Sequence, residues 1–188
     1  MREAMVGAFL AHLPPELEVD LSRIEPVLLK IADDVESAWP QLHLELEDFV
    51  AHLAARIPLG QPVVKTLENL HHADLYLACA CASGDEAAFR LFTETYDSVI
   101  ERAAKRVEAQ GVDADETRQL LINHLLLPRG ERPPAIALYS GQGALFSYLK
   151  VAALHKALKL LEKFKKVPIT DDLEDAFMVA DSSDDKRI

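Results

Sequence analysis

Lys156, Lys159, Lys163 and Lys166 follow one another at spacings of 3, 4 and 3 within YSGQGALFSYLKVAALHKALKLLEKFKK, residues 139–166. At 100° per residue these positions fall on one side of a helix, and Tyr148, Ala152 and His155 fall near them. Lysines in such a row can each neutralise a phosphate, and an aromatic ring such as Phe146 or Tyr148 offers a stacking platform for an unpaired base. The chemistry indicated is binding to a nucleic-acid backbone. Val151, Leu154, Ala157, Leu158, Leu161 and Phe164 gather on the other side and predict the core face. A solvated amphipathic helix with a lysine-rich outer face has the same spacing, and the stripe alone favours that reading.

The Gly141-Gln142-Gly143 turn ahead of this helix lacks the Gly-Lys-Ser/Thr of a nucleotide P-loop and follows no predicted strand. Gly141 permits a sharp turn and Gly143 opens the helix, whose first amides could also meet a phosphate. The histidines, at 12, 43, 52, 71, 72, 124 and 155, are scattered, and no nucleophile, base and acid stand at a recognisable spacing. The stretch His71-His72-Ala73-Asp74 departs from the adjacent His-Asp pair of the His-Asp phosphohydrolases and reads as a helix surface. Cys79 and Cys81 sit one residue apart in LYLACACAS. On a helix they point about 200° apart, so one ion could not take both thiolates, and they read as small buried residues. The expectation is a protein that is not an enzyme and uses neither metal nor cofactor.

The 188-residue chain carries a net charge of -11, unevenly spread. Residues 1–84 hold 5 Lys/Arg against 13 Asp/Glu, residues 85–167 hold 13 against 11, and residues 168–188 hold 2 against 7. Between 139 and 167 there are six lysines and one glutamate, a cationic patch in an anionic protein. The first residues lack the cationic start and small-residue cleavage site of a secretory signal. No apolar run approaches the roughly 20 residues that a bilayer demands. A cytoplasmic location and no membrane span are expected, and the cysteine pair is no disulfide framework.

Helical periodicity dominates and strand signals are almost absent, so an all-α fold is predicted. Helices are expected before Pro14-Pro15, from about Asp20 to Trp39, and from about Leu42 to Arg56. A second block runs as Val63 to Ala82, then a long helix capped by Asp85 to about Ala109. A helix capped by Asp113 or Asp115 follows through Leu127, then a short turn at Ala135 to Tyr139, and the lysine-bearing helix closes the block. Three units are predicted: an acidic helical extension at 1–62, a helical bundle at 63–167 and an acidic linker or flexible tail at 168–188.

Three segments, in order, resemble the second domain of bacterial sigma-70-family RNA polymerase sigma factors of the extracytoplasmic-function (ECF) type. GDEAAFRLFTETYDSV (84–99) is similar to the domain's opening helix. DADETRQLLINHLLL (113–127) looks like the helix that grips the polymerase, and YSGQGALFSYLKVAALHKALKLL (139–161) resembles the helix that melts the promoter and reads its -10 element. The resemblance covers about residues 64–167. It implies a compact helical bundle of sigma domain-two type, with an added N-terminal helical block. Such a domain docks on the clamp helices of the largest subunit of core RNA polymerase and captures flipped bases of the non-template strand of promoter DNA.

Carried over position by position, the resemblance assigns Asp115, Glu116, Gln119, Leu120 and Asn123 to polymerase. It assigns Phe146, Tyr148, Lys150, His155, Lys156, Lys159 and Lys163 to DNA, with Tyr148 standing where the family usually has Trp. Leu120 replaces a frequent acidic residue, and Leu154-His155 replaces a common Arg-Asn pair, so sequence preference at the -10 element does not carry over. No helix-turn-helix domain follows, and the chain is expected to be the N-terminal part of a longer protein. An anti-sigma protein is a possible further partner. The acidic first block could cover the lysine stripe, or serve as a docking extension or structural padding. The competing expectation is an all-helical interaction or anti-sigma-like module that binds a partner through the apolar Leu120–Leu127 surface without binding DNA.

Overall fold

The computed structural model describes residues 2–108 and 111–165. They form eight α-helices: α1 (Arg2–His12), α2 (Leu21–Ala38), α3 (Leu46–Ala54), α4 (Val63–Asn69), α5 (His72–Ala82), α6 (Glu86–Glu108), α7 (Ala114–Leu126) and α8 (Leu145–Lys165). A 3-10 turn at Ala135–Leu138 precedes α8. An isolated bridge between Arg129 and Arg132 is the sole β pairing among the described residues. The fold is all-α. The predicted tail, Lys166 and Val167 lie outside the described residues, as does the end predicted for α6 at Ala109.

Aspartates set the helix starts. Asp20 Oδ1 accepts the Ser22 amide at 3.0 Å, Asp85 Oδ1 accepts the Ala87 and Ala88 amides at 2.7 and 3.0 Å, and Asp113 Oδ1 accepts the Glu116 amide at 2.7 Å. Each carboxylate meets an amide that lacks a partner inside the helix and sits at the positive end of its dipole.

The described residues divide into two compact units, each made of separate segments: those within 2–94 with 126–145, and those within 95–125 with 146–165. In the first, α5 is the central helix. Leu75, Tyr76, Leu77, Ala78, Ala80 and Cys81 are buried around its circumference, which is why LYLACACAS shows no amphipathic stripe. α2, α3 and the 3-10 turn pack on it, and α1 packs on α3. Phe49 meets Tyr76 edge-on, with ring centroids 5.0 Å apart at 90°, and the Tyr76 hydroxyl donates to the Leu44 carbonyl at 3.1 Å. The indole of Trp39 donates to the Ala73 carbonyl at 2.9 Å.

One helix predicted from Val63 to Ala82 is two. Leu70 is extended at ψ 148°, and the His71 amide is given to the Gly141 carbonyl at 2.9 Å, so a tertiary bond replaces a helical one. The expected start of α3 at Leu42 moves to Leu46.

Arg56 holds the segment that leads into α8. Its Nε donates to the Tyr139 carbonyl at 3.1 Å, one Nη to the Ala137 carbonyl at 2.9 Å, and the other to the His52 carbonyl at 3.0 Å. Gly141 then turns with φ 76°, and a Cβ there would stand 2.2 Å from Leu75 Cδ1. Asp74, on α5, accepts the Leu145 amide at 2.8 Å and so starts α8, two residues after the expected Gly143. The Tyr139 hydroxyl donates to the Gly143 carbonyl at 2.5 Å and closes the turn.

Two stability measurements follow from these contacts. Gly141→Ala combines left-handed backbone strain with a collision against a buried leucine, and should cost about 3 kcal/mol in urea unfolding followed by Trp39 fluorescence. A cost below about 1 kcal/mol would contradict the close approach. The second concerns His52, whose pKa is lowered from 6.5 to about 4 by burial and by the charge of Arg56, and whose Nε2 has no partner among the described residues. As pH falls below 6.5 the unfolded chain takes a proton that the folded chain refuses. Stability should therefore fall towards pH 4, by at most about 3 kcal/mol from this group, and level off below it. His52→Gln should flatten the difference between urea midpoints at pH 7 and pH 4.5; an unchanged difference would exclude His52 as its source.

Candidate nucleic-acid interface

α8 carries most of the residues in question. Leu149, Ala153, Leu154, Ala157, Leu158, Leu160 and Leu161 are buried, and His155, Lys159 and Lys163 are exposed. The predicted core face is thus right for Leu154, Ala157, Leu158 and Leu161. Val151 is 37% exposed and belongs to the solvent side, because it precedes His155 and Lys159 at intervals of four. The side chain of Phe164 lies outside the described residues.

The cations of α8 divide between two faces. Lys159 and Lys163 stand in line with His155 on the exposed side, with half-buried Lys156 and Tyr148 beside them. Lys150 is about 100° or more from that line by helical phase and joins a different group. It lines a shallow hollow of about 20 Å³, open to solvent, with Arg102, Arg106, Val99 and Ala103 of α6 and Phe146 and Leu154 of α8. Three cations, one aromatic ring and three small or apolar side chains make up this wall, and no carboxylate among the described residues lines it. The Arg102 guanidinium carbon lies 5.7 Å from the centroid of the Phe146 ring, near the outer limit of a cation–π contact, which is worth about 0.5–1 kcal/mol at a partly exposed site.

Arg102 and Arg106 were not singled out by the sequence. Their signal was present as two arginines four apart, the spacing that puts like charges on one helix face at some cost to the helix. α6 sorts its charges by face. Asp97, Glu101 and Lys105 line a separate hollow with Asp115 and Arg118, where Lys105 Nζ meets Glu101 at 2.6 Å. Arg118 grips one oxygen of Asp97 through Nε at 2.9 Å and Nη2 at 2.5 Å, which ties α7 to α6.

On α7, Asp115, Glu116 and Gln119 are exposed, and Leu120 and Asn123 are half-buried. Glu116, Gln119, Leu120 and Asn123 share one face at spacings of three and four. The Gln119 amide donates to Asn123 Oδ1 at 3.2 Å. Leu121, Leu125 and Leu126 are buried, so the Leu120–Leu127 run keeps only Leu127 clearly exposed, at 44%.

No family model, curated protein or solved structure matches this chain.

The remaining candidates have structural employment. Asp74 occupies the N-terminus of α8, so the first amides of that helix already face a carboxylate where the sequence allowed a phosphate. His72 Nε2 lies 2.6 Å from the Leu67 carbonyl, and His71 lies 3.8 Å from Asp74. Burial pushes the Cys79 and Cys81 thiols up to about 11 and about 12, so both stay protonated at neutral pH. Burial also raises the Tyr148 phenol, which remains an uncharged ring. No helix among the described residues is long and apolar enough to cross a membrane, and no group of three His, Cys, Asp or Glu there could hold a metal ion.

The Asp97–Arg118 pair is partly exposed on both sides, which limits its worth. A double-mutant cycle with Asp97→Asn and Arg118→Gln, read by thermal unfolding, should give a coupling below about 1 kcal/mol. The coupling should shrink further in 1 M salt; a larger value insensitive to salt would mean a buried, dry pair.

Proposed function

We propose that this chain is the promoter-recognition and melting part of an ECF-type sigma factor. In this reading the α7 face of Glu116, Gln119, Leu120 and Asn123, with Asp115 beside it, meets the clamp helices of core RNA polymerase. α8 meets the non-template strand of the -10 element. The observation that carries the reading is the state of the aromatics on α8. Phe146 and Tyr148 are only half-buried, whereas Tyr76 and Phe92 are fully buried, and cations stand on both faces of the same helix. A ring held at the surface beside positive charge is what base stacking needs. Extruding a base costs a few kcal/mol, which stacking and charge compensation offset.

The competing reading, a helical interaction module using Leu120–Leu127, is weakened by the burial of Leu121, Leu125 and Leu126. The test is co-purification with bacterial core RNA polymerase. Wild type should be retained, and Glu116→Lys with Gln119→Ala should lose at least tenfold in retention while keeping its helical circular dichroism. Retention of neither protein would sink the sigma reading and bring the interaction module forward.

A further inference from the structure

We infer that the cleft formed by the end of α2, the start of α3 and the loop between them is a docking site for a basic, extended segment of a partner protein. The cleft measures about 610 Å³ and is open to solvent, a size within the range of sites that hold ligands. No residue of α7 or α8 lines it, and the sigma reading plays no part in its assignment. Most of the lining is apolar or aromatic, with Trp39, Leu42, Leu44 and Tyr76 among its side chains. The two rings are held in place, since the Trp39 indole donates to the Ala73 carbonyl and the Tyr76 hydroxyl to the Leu44 carbonyl. Glu36, Glu45 and Glu47 supply the charge, and among the described residues no lysine or arginine lines the cleft. None of these glutamates makes an ion pair with a described residue. A wall of apolar surface and unpaired carboxylates is complemented by a cationic, partly apolar occupant.

Charge alone would suit a polyamine as well as a peptide, and the backbone favours the peptide. Leu42 is buried, His43 exposed, Leu44 half-buried and Glu45 exposed, the alternation of an extended chain. From His43 to Glu47, five successive lining residues give their amides to no acceptor among the described residues. α3 also lacks the side-chain cap that Asp20, Asp85 and Asp113 give to α2, α6 and α7. A polyamine has no acceptor for an amide. A peptide carries one carbonyl per residue, so its main chain can meet these amides while its lysines or arginines reach the glutamates and its apolar side chains cover the rings. The plainer account is that water serves the amides and that the glutamates merely offset the dipole of α3. That account predicts no binding.

The two are separated by titrating the full chain with a capped hexapeptide of alternating lysine and leucine, with its glutamate and leucine counterpart, and with spermidine, which matches the charge of the first. Trp39 is the sole tryptophan of the chain and lines the cleft, so its emission reads occupancy. The lysine peptide should shift that emission and bind at least tenfold more tightly than either of the other probes. Glu36→Gln, Glu45→Gln and Glu47→Gln together should weaken its binding at least tenfold. Glu3→Gln, Glu25→Gln and Glu131→Gln together remove the same charge from exposed positions outside the cleft and should leave binding within twofold of wild type. No binding of the lysine peptide up to about 1 mM would overturn the site. Equal losses in the two triple variants would also overturn it, by reducing the binding to the general attraction of a chain of net charge -11. Spermidine binding as tightly as the peptide would replace the peptide by a small cation and overturn the docking assignment.

Discussion

The first amide of α8 is held by a carboxylate from another helix, and the chemistry proposed for α8 depends on that bond. Asp74 of α5 accepts the Leu145 amide and fixes the residue at which the helix begins. From there, spacing alone decides which side chains share a face: His155, Lys159 and Lys163 are exposed together, and Leu154, Leu158 and Leu161 are buried together. Arg56 and Gly141 serve the same end. Two carbonyls of the approach to α8, those of Ala137 and Tyr139, are held by one guanidinium that is itself tied to the His52 carbonyl, and a left-handed turn is pressed against Leu75, which leaves that approach little freedom.

Much of this fold was legible because its signals are local. Aspartates before apolar periodic runs mark true caps at Asp20, Asp85 and Asp113, and the sequence around each contains all the atoms that make the bond. The break between α4 and α5 was not legible, since neither Gly nor Pro stands there. It is imposed by the carbonyl of Gly141, some seventy residues away in the chain. The surface site was half-legible for a similar reason. A helical wheel places Lys159 and Lys163 correctly, but it cannot say which face of α6 comes beside Lys150. Val151 is apolar and lies at the edge of the core face by helical phase, 60° from Leu154 and 40° from His155, so periodicity alone does not settle its side.

Charge gives a second view of the same division. The net charge of -11 describes no particular surface. α6 alone presents carboxylates on one face and arginines on another, so a ligand meets local potential rather than the average. The α7 surface is acidic and amide-rich, and α8 is cationic on two sides.

The order of segments along the chain has a consequence for synthesis. The first compact unit consists of residues 1–94 and 126–145, so its final pieces emerge only after residues 95–125 have been made. Until then α5 lacks the 3-10 turn that packs on it, and the chain must hold buried apolar surface uncovered on the ribosome. The unit completes by a long-range closure, which is the slow kind. Translation speed through residues 95–145 therefore sets how long Leu75 waits for Gly141, and a pause there lengthens the interval in which the nascent protein is most exposed to aggregation and to chaperones.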